Sequence, residues 1–503
     1  MIFGRKKFYL STPIYYVNDH PHIGHAYTSF AGDILSRYFR MKKYKVFFLT
    51  GTDENSQKNV SAAKERGKEI KAYLDEMSAL WQETWDSLDI GFDDFIRTTE
   101  QRHRKGVEKF FQKIHQKGDI YKGVYEGLYC FKCEAFLSEI DLENGQCPVH
   151  KLKPEKIREE NYFFKASKYR KKLLDYIKNH PQFIQPESRR HEIISYIKNY
   201  FQDISISRQK ASWGIPLPID KNQVFYVWFE ALLNYLTGIG YGWDEKRFKK
   251  FWPADLHLIG KDIIKFHCAL WPTMLFSANL PLPKRIFAHG FFTIGGEKIS
   301  KSLGNTIDPV KLAQKYGLDE LKYFIFKEFP FGEDGDFSEK RLKERYKGDL
   351  ANGLGNTVAR ILALGEKHQE KIKNFKAKSE IDNLKKLWQN YQKKMEKLAF
   401  QEVLDLIWQV LKKIDIYIEE NKPWELSQRD EKRLKQVLYN LLETLRQLAW
   451  MLYPLMPQTS ILILEKLGLK NEFKKSFKKA QKWGTAVGKI RKGKNLFPKI
   501  FNK

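Results

Sequence analysis

The stretch from Lys7 to Thr50 limits the possible folds most strongly. Lys7 to Thr12 has the pattern of a short strand that Pro13 should end, and Phe30, Ile34, Leu35 and Tyr38 recur at helical spacing on one apolar side. Lys45 to Thr50 (KVFFLT) is then a continuous run of the buried-strand type. Strand, helix and strand in this order imply a right-handed parallel crossover. Further strand candidates, Phe95 to Arg97, Asp255 to Ile259 and Ile286 to Ala288, can complete a doubly wound parallel sheet of the Rossmann type. Such sheets hold ligands beyond the carboxyl ends of their strands, which here are Pro13 to Tyr16, Gly51 to Glu54, Gly260 to Asp262 and His289 to Gly290.

The alternation divides the chain into five segments. Residues 1–116 form the first half of this nucleotide-binding α/β domain and 226–290 the second. Between them, 117–225 break the pattern with a Cys/His cluster and polar stretches, as an inserted domain would. Residues 291–345 carry a glycine-flanked basic loop, and 346–503 read as an all-α helix bundle with a basic tail. The bundle shows in Leu384, Leu387, Tyr391, Met395 and Leu398, then in Val403, Ile407, Val410 and Ile414, and again in Leu434, Leu438, Leu441, Leu445 and Leu448. Breaks at Asn421-Lys422-Pro423 and Pro454 to Pro457 suit corners between antiparallel helices.

A length of 503 residues agrees with about three or four domains of ordinary size. Lys and Arg number 89 against 61 Asp and Glu, a net charge of +28. That excess attracts polyanions, nucleic acid above all, unless it is only a lysine-rich solvated surface. The tail from Lys474 to Lys503, with 11 basic and no acidic residues, poses the same choice between an RNA contact and a solvated arm. The start, MIFGRKKFYLSTP, lacks a secretory apolar core, and no run reaches the roughly 18 apolar residues of a membrane span, so a cytoplasmic protein is expected.

Pro21-His22-Ile23-Gly24-His25 stands where the first strand hands over to a helix. Two imidazoles and a glycine at a helix N-terminus can meet a phosphate, or the histidines can simply cap the helix. Downstream, Gly295-Gly296-Glu297-Lys298-Ile299-Ser300-Lys301-Ser302 sets two lysines and two serines in a loop. Cys130-Phe-Lys-Cys133 and Cys147-Pro-Val-His150 make a Cys₃His set in two knuckles, which suits a closed, structural tetrahedral zinc better than free thiols. Cys268, beside His267, reads as a buried small apolar residue and not as a nucleophile.

The HIGH and KISKS signatures, in this order on an interrupted doubly wound sheet, resemble those of the class I aminoacyl-tRNA synthetases. STPIYYVNDHPHIGH, FFLTGTDE, DISISRQKASWGIPLP, VFYVWFEALLNY, LIGKDIIKFH and KISKSLGN are together similar to the methionyl-tRNA synthetase family, over nearly the whole chain. The resemblance implies ATP-dependent attachment of L-methionine to tRNA(Met) through methionyl-adenylate, with release of pyrophosphate and AMP. It assigns transition-state stabilisation to His22, His25, Lys298 and Lys301, with Mg²⁺ assisting, and ATP binding to these four with Gly24, Asp262, His289 and Gly290. Asp262 would hold the ribose.

The methionine site implied is Ile14, Tyr16, Asp53, Trp228, Ala231, Leu232, Tyr235, Ile263 and His267. Asp53 would take the ammonium, oriented by Arg208, and the apolar, polarizable lining suits a thioether. Residues 291–345 become the KISKS and stem-contact region. Asn356, Arg360 and Trp424 become readers of a CAU anticodon, although Trp424 could equally plug the end of the bundle. Asn55-Ser56, Glu230 and Ile299 depart from the family's usual His-Gly, Asp and Met. The chain stops soon after Leu496-Phe497-Pro498-Lys499-Ile500, without an appended RNA-binding domain, so a monomer is expected. Two other readings are a class I synthetase for cysteine, whose zinc would bind substrate, and a non-catalytic tRNA-binding protein with a synthetase-like shell.

Overall fold

Strand β1 (Lys7–Tyr16) is buried along most of its length, as a strand covered on both faces must be. It runs through Pro13, where the sequence predicts an end. Its pairing with the strand Leu256–Gly260 sits at Leu10 and Ser11, ahead of the ring, and the fixed φ of proline suits extended backbone. The computed structural model describes residues 6–131, 134–137, 139–148, 151–209, 211–298, 306–381, 383–470, 472–484 and 488–498. The chain divides into two units, one of residues 7–32 and 46–290, the other of 1–6, 33–45 and 291–503.

In the first unit β1 is followed by β2 (Lys45–Asp53), β3 (Asp94–Arg97), β4 (Ile120–Cys130), β5 (Ala135–Leu137), β6 (Glu155–Phe164), β7 (Ile184–Gln185), β8 (Ile204–Ser205), β9 (Ser207–Arg208), β10 (Pro216–Leu217), β11 (Asp220–Phe225), β12 (Leu256–Gly260) and β13 (Ile286–His289). Six strands make the central sheet in the order β3-β2-β1-β12-β13-β7, and β2–β3, β1–β12, β12–β13 and β13–β7 pair in parallel. Strand order reverses between β1 and β12, which is the switch point where ligands of such sheets settle. Gly51 is needed here: a Cβ on it would lie 2.0 Å from the Ile96 carbonyl oxygen of β3.

The insertion is built on antiparallel pairing of β4 with β6, flanked in the order β5-β4-β6-β8, with a second small sheet β10-β11-β9 beside them in sequence. Ile184–Gln185 pairs with β13 and so forms the edge of the central sheet. A strand of two residues carries no periodic signal, and only its partner makes it a strand.

The second unit is mainly helical. Its helices include Leu318–Glu328, Asn356–Lys367, Leu384–Glu396, Phe400–Asn421, Pro423–Arg429, Glu431–Leu452 and Pro457–Lys466. The apolar stripes expected from sequence are buried: Leu387, Tyr391 and Met395; Val403, Ile407, Val410 and Ile414; Leu434, Leu438, Leu441, Leu445 and Leu448. Lys422, at φ 41°, ends one helix and Pro423 begins the next, so the corner lies where the sequence places it. Arg446 is fully buried and pairs with Glu443 (2.5 Å) and Glu472 (2.8 Å), which ties the segment after residue 470 to the bundle. Among the described residues no helix is long and apolar enough to cross a membrane.

Candidate active site

The helix Ile23–Met41 starts beside the end of β1, and His22 organises that start. Its carbonyl accepts from the N–H groups of His25 (2.9 Å) and Ala26 (3.1 Å), while its ring Nδ1 accepts from the Gly24 N–H (3.1 Å). His25 Nδ1 in turn accepts from the His22 N–H (3.3 Å). The two functions weighed for these histidines are therefore compatible: they cap the helix, and because each Nδ1 accepts, each neutral ring carries its hydrogen on Nε2. The rings stack with centroids 3.8 Å apart, and His25 also packs on Trp81 (4.9 Å) and Tyr15 (5.2 Å). A Cβ on Gly24 would lie 3.0 Å from His22 Cε1, so glycine lets the ring fold back over the helix start. Donors at a helix N-terminus are suited to an anion.

His289, the last residue of β13, has its ring engaged within the fold. Its Nε2 meets Thr28 Oγ1 (2.6 Å) and its Nδ1 meets the Gly290 carbonyl (2.7 Å). Burial lowers its pKa, so the ring is neutral, donating from Nδ1 and accepting at Nε2. Asp262 follows β12 in the short turn Lys261–Ile263 and is exposed.

An aromatic and aliphatic group lines the same rim. Tyr16 meets Trp228 edge to face (6.4 Å), and Trp228 lies flat on Phe266 (3.9 Å, 3°). Ala231, Leu232 and Tyr235 are buried, and Ile14 and Ile263 pack partly buried against the same core. Tyr235 is 2.8 Å from His267 Nε2, and His267 Nδ1 is 3.0 Å from the Ile263 carbonyl. His267 therefore donates from Nδ1 and accepts from the tyrosine, and burial pushes its pKa down to about 4, which keeps it neutral. The hydroxyl of Tyr16 and the indole Nε1 of Trp228 are buried without a hydrogen-bond partner.

Asp53 ends β2 as a buried carboxyl, with Oδ1 unpartnered. Burial, followed by the nearby carboxyls of Glu230 and Glu134, pushes its pKa well up. A cation bound there would relieve both effects. Arg208, expected to orient Asp53, instead pairs with Glu159 through Nε (2.9 Å) and Nη2 (3.2 Å) and covers the ring of Tyr129 (4.2 Å). Glu159 of β6 cross-strand partners a residue of β4, so this arginine serves the insertion, a use its motif does not reveal.

Of the expected zinc ligands, Cys130 and Cys147 are buried, 3% and 1% exposed. The Cys147 N–H and carbonyl bond Leu152 and Lys151 (both 2.8 Å), closing a tight turn. Cys133 and His150 lie outside the described residues, and among those described no metal-binding group of three or more His, Cys, Asp or Glu is present. Lys298 ends the strand Glu297–Lys298, while Ile299 and Lys301 lie outside the described residues. Cys268 is fully buried and burial raises its pKa, as expected of an inert thiol. In the helical unit Asn356 is exposed at the start of its helix, Arg360 pairs with Glu419 (2.6 Å), and Trp424 is 47% exposed. An indole this open does not plug the bundle.

Comparison with known proteins gives the family. A family model described as tRNA synthetases class I (M) matches residues 8–152 and 137–362, and one described as the anticodon-binding domain of tRNA ligase matches 380–499. The methionine–tRNA ligase of Thermotoga maritima is 43% identical over 98% of this chain and 80% of its own length, and that of Streptomyces coelicolor is 40% identical over 99% and 98%. The chain belongs to the methionine–tRNA ligase family. A solved structure of Mycobacterium tuberculosis methionyl-tRNA synthetase in complex with methionyl-adenylate superposes with a TM-score of 0.92, at 37% identity over 98% of this chain and 100% of that one.

Two of the positions at which this chain departs from the family pattern, Asn55 and Glu230, are bonded to each other, Asn55 Nδ2 to Glu230 Oε1 (3.1 Å). Two further residues at the rim were not singled out from sequence. Phe266 supports Trp228, and its place three residues after Ile263 and next to His267 is the signal that could have found it. Glu134 accepts from the Gln57 N–H (2.5 Å), and its carbonyl accepts from the Tyr226 hydroxyl (2.7 Å). Nothing in the sequence marks Glu134 beyond its place after Cys133.

Proposed function

We propose that the rim residues carry the ATP-dependent attachment of L-methionine to tRNA(Met) by the following division of work. Asp53 receives the α-ammonium, and Ile14, Tyr16, Trp228, Ala231, Leu232, Tyr235, Ile263 and His267 enclose the thioether side chain. Neutral His267 and Tyr235 satisfy one another, so the pocket offers sulfur an apolar and polarizable surface. The Nε2–H groups of His22 and His25 donate to the α-phosphate, where negative charge accumulates as the methionine carboxylate attacks and pyrophosphate departs. The backbone of His289 and Gly290 meets the nucleotide, since the His289 ring is already engaged, and Asp262 accepts from the ribose. Lys298 and Lys301 are assigned to the departing pyrophosphate by resemblance alone. Mg²⁺ accompanies ATP and supplies counter-charge. No covalent enzyme intermediate is required. The adenylate's carbonyl is then attacked by the terminal ribose of tRNA, releasing AMP.

The observation that carries this reading is the buried, unpartnered Asp53 oxygen beside the unpartnered Tyr16 hydroxyl and Trp228 indole in one unit. Three polar groups left unsatisfied in one buried place are costly unless a ligand completes them. For the knuckle, buried Cys130 and Cys147 with Cys133 and His150 form a donor set that fits structural zinc. For the helical unit, exposed Trp424 suits base stacking, with Asn356 and Arg360 supplying amide and guanidinium. Charging assays with labelled methionine test the whole scheme. The expected result is charging of a tRNA bearing the CAU anticodon, weakened when the anticodon is changed or Trp424→Ala is introduced. Equal charging in all three cases would overturn the anticodon assignment.

A further inference from the structure

Asn55 touches both halves of the proposed methionine site. Its backbone N–H faces the Asp53 carboxylate and favours the ionised form. Its side-chain Nδ2 donates to Glu230 Oε1 (3.1 Å) and to the Thr98 carbonyl (3.3 Å). Glu230 lies in the short helix Val227–Ala231, which also carries Trp228 and Ala231. Its second oxygen is 2.8 Å from His103 Nε2, and His103 Nδ1 is 2.8 Å from Thr237 Oγ1. All three side chains, Asn55, His103 and Glu230, are buried, the last two completely.

We propose that the chain Asn55–Glu230–His103 fixes the distance between the carboxylate that takes the substrate ammonium and the aromatic wall that takes its side chain, making these three residues positioning residues for methionine. The loop after β2 and the Trp228 helix approach each other from distant parts of the sequence. One hydrogen bond joins them at the point where the two ends of the substrate must be matched. His103, on the helix Gln101–Gln116, holds the Glu230 carboxyl from the other side, so that its first oxygen stays aimed at Asn55. None of the three needs to touch substrate. Their influence passes through Asp53 and Trp228, and so rests on the assignment of those two. A site held to within a fraction of an ångström binds better than a loose one, so a slack joint should weaken methionine specifically.

The test is methionine- and ATP-dependent pyrophosphate exchange by the full chain, with KM for each substrate and the melting temperature recorded for Glu230→Ala, Glu230→Gln, Asn55→Ala and Asp53→Asn. Expected for Glu230→Ala and Asn55→Ala is a rise in methionine KM of about tenfold or more, with ATP KM changed less than twofold. Glu230→Gln, whose amide can still accept from Asn55 and donate to His103, should recover most of the loss. Unchanged methionine KM in Glu230→Ala, an equal rise in both KM values, or no recovery with glutamine would overturn the proposal. If Asp53→Asn also leaves methionine KM unchanged, the assignment of the ammonium site fails instead. Should Glu230→Ala not fold, Asn55→Ala and Glu230→Gln decide the matter alone.

Discussion

Tyr235 and His267 form a closed donor–acceptor pair at 2.8 Å, with the second nitrogen of His267 spent on the Ile263 carbonyl at 3.0 Å. The pocket therefore presents no unsatisfied hydroxyl or imidazole at this point. Removing the hydroxyl in Tyr235→Phe leaves His267 Nε2 buried without a donor. The expected cost is about 1–3 kcal/mol, read as a lower melting temperature together with a raised methionine KM.

The stacked pair His22 and His25 should act at the transition state and not on methionine binding. His22→Ala or His25→Ala is expected to lower the rate of adenylate formation by roughly 10²–10³-fold per donor removed, with little change in methionine affinity. Single-turnover kinetics and equilibrium binding separate the two effects.

Glu230 gives the fold a measurable pH dependence. Burial pushes its carboxyl up to about 8, so the folded chain holds a proton that the unfolded chain releases above the ordinary glutamate range. The stability contributed by this group is full below about pH 4.5, where unfolded glutamate is also protonated, and falls as pH rises toward 8. Glu230→Gln has no such proton. Melting curves between pH 5 and 8 should show wild type losing more stability than Glu230→Gln as pH rises.

The knuckle should retain one zinc per chain through purification, measured by elemental analysis. Cys130→Ala or Cys147→Ala is expected to abolish it and to lower the melting temperature, and prolonged chelation of wild type should do the same.

Gly51→Ala forces a methyl group onto the backbone of β3, with the Ile96 carbonyl oxygen 2.0 Å from the added atom. Backbone cannot yield as a side chain can. A loss of about 3 kcal/mol or more, at the upper end for overpacking, should appear in denaturant titration.

The parallel sheet was legible because each strand is a continuous apolar run followed by turn-forming polar residues, a pattern set by burial on both faces. Helix faces from Leu387 to Leu448 were legible for the matching reason at helical spacing. Ile184–Gln185 was not, since two residues have no period. The rim residues were recognisable through motif position, but their bonding was not. Whether Arg208 turns to Asp53 or to Glu159 depends on β6, far off in sequence, and the meeting of Asn55, His103 and Glu230 joins residues 48 and 127 positions apart along the chain. Such pairings exist only after the sheet has closed.

Amino-acid-dependent exchange of labelled pyrophosphate into ATP, run on the purified chain without tRNA over a panel of amino acids, tests the central assignment most directly. Exchange that requires methionine and is lost in Asp53→Asn and His22→Ala is the expected result. Exchange supported by cysteine in place of methionine, or methionine-dependent exchange that survives both substitutions, would contradict it.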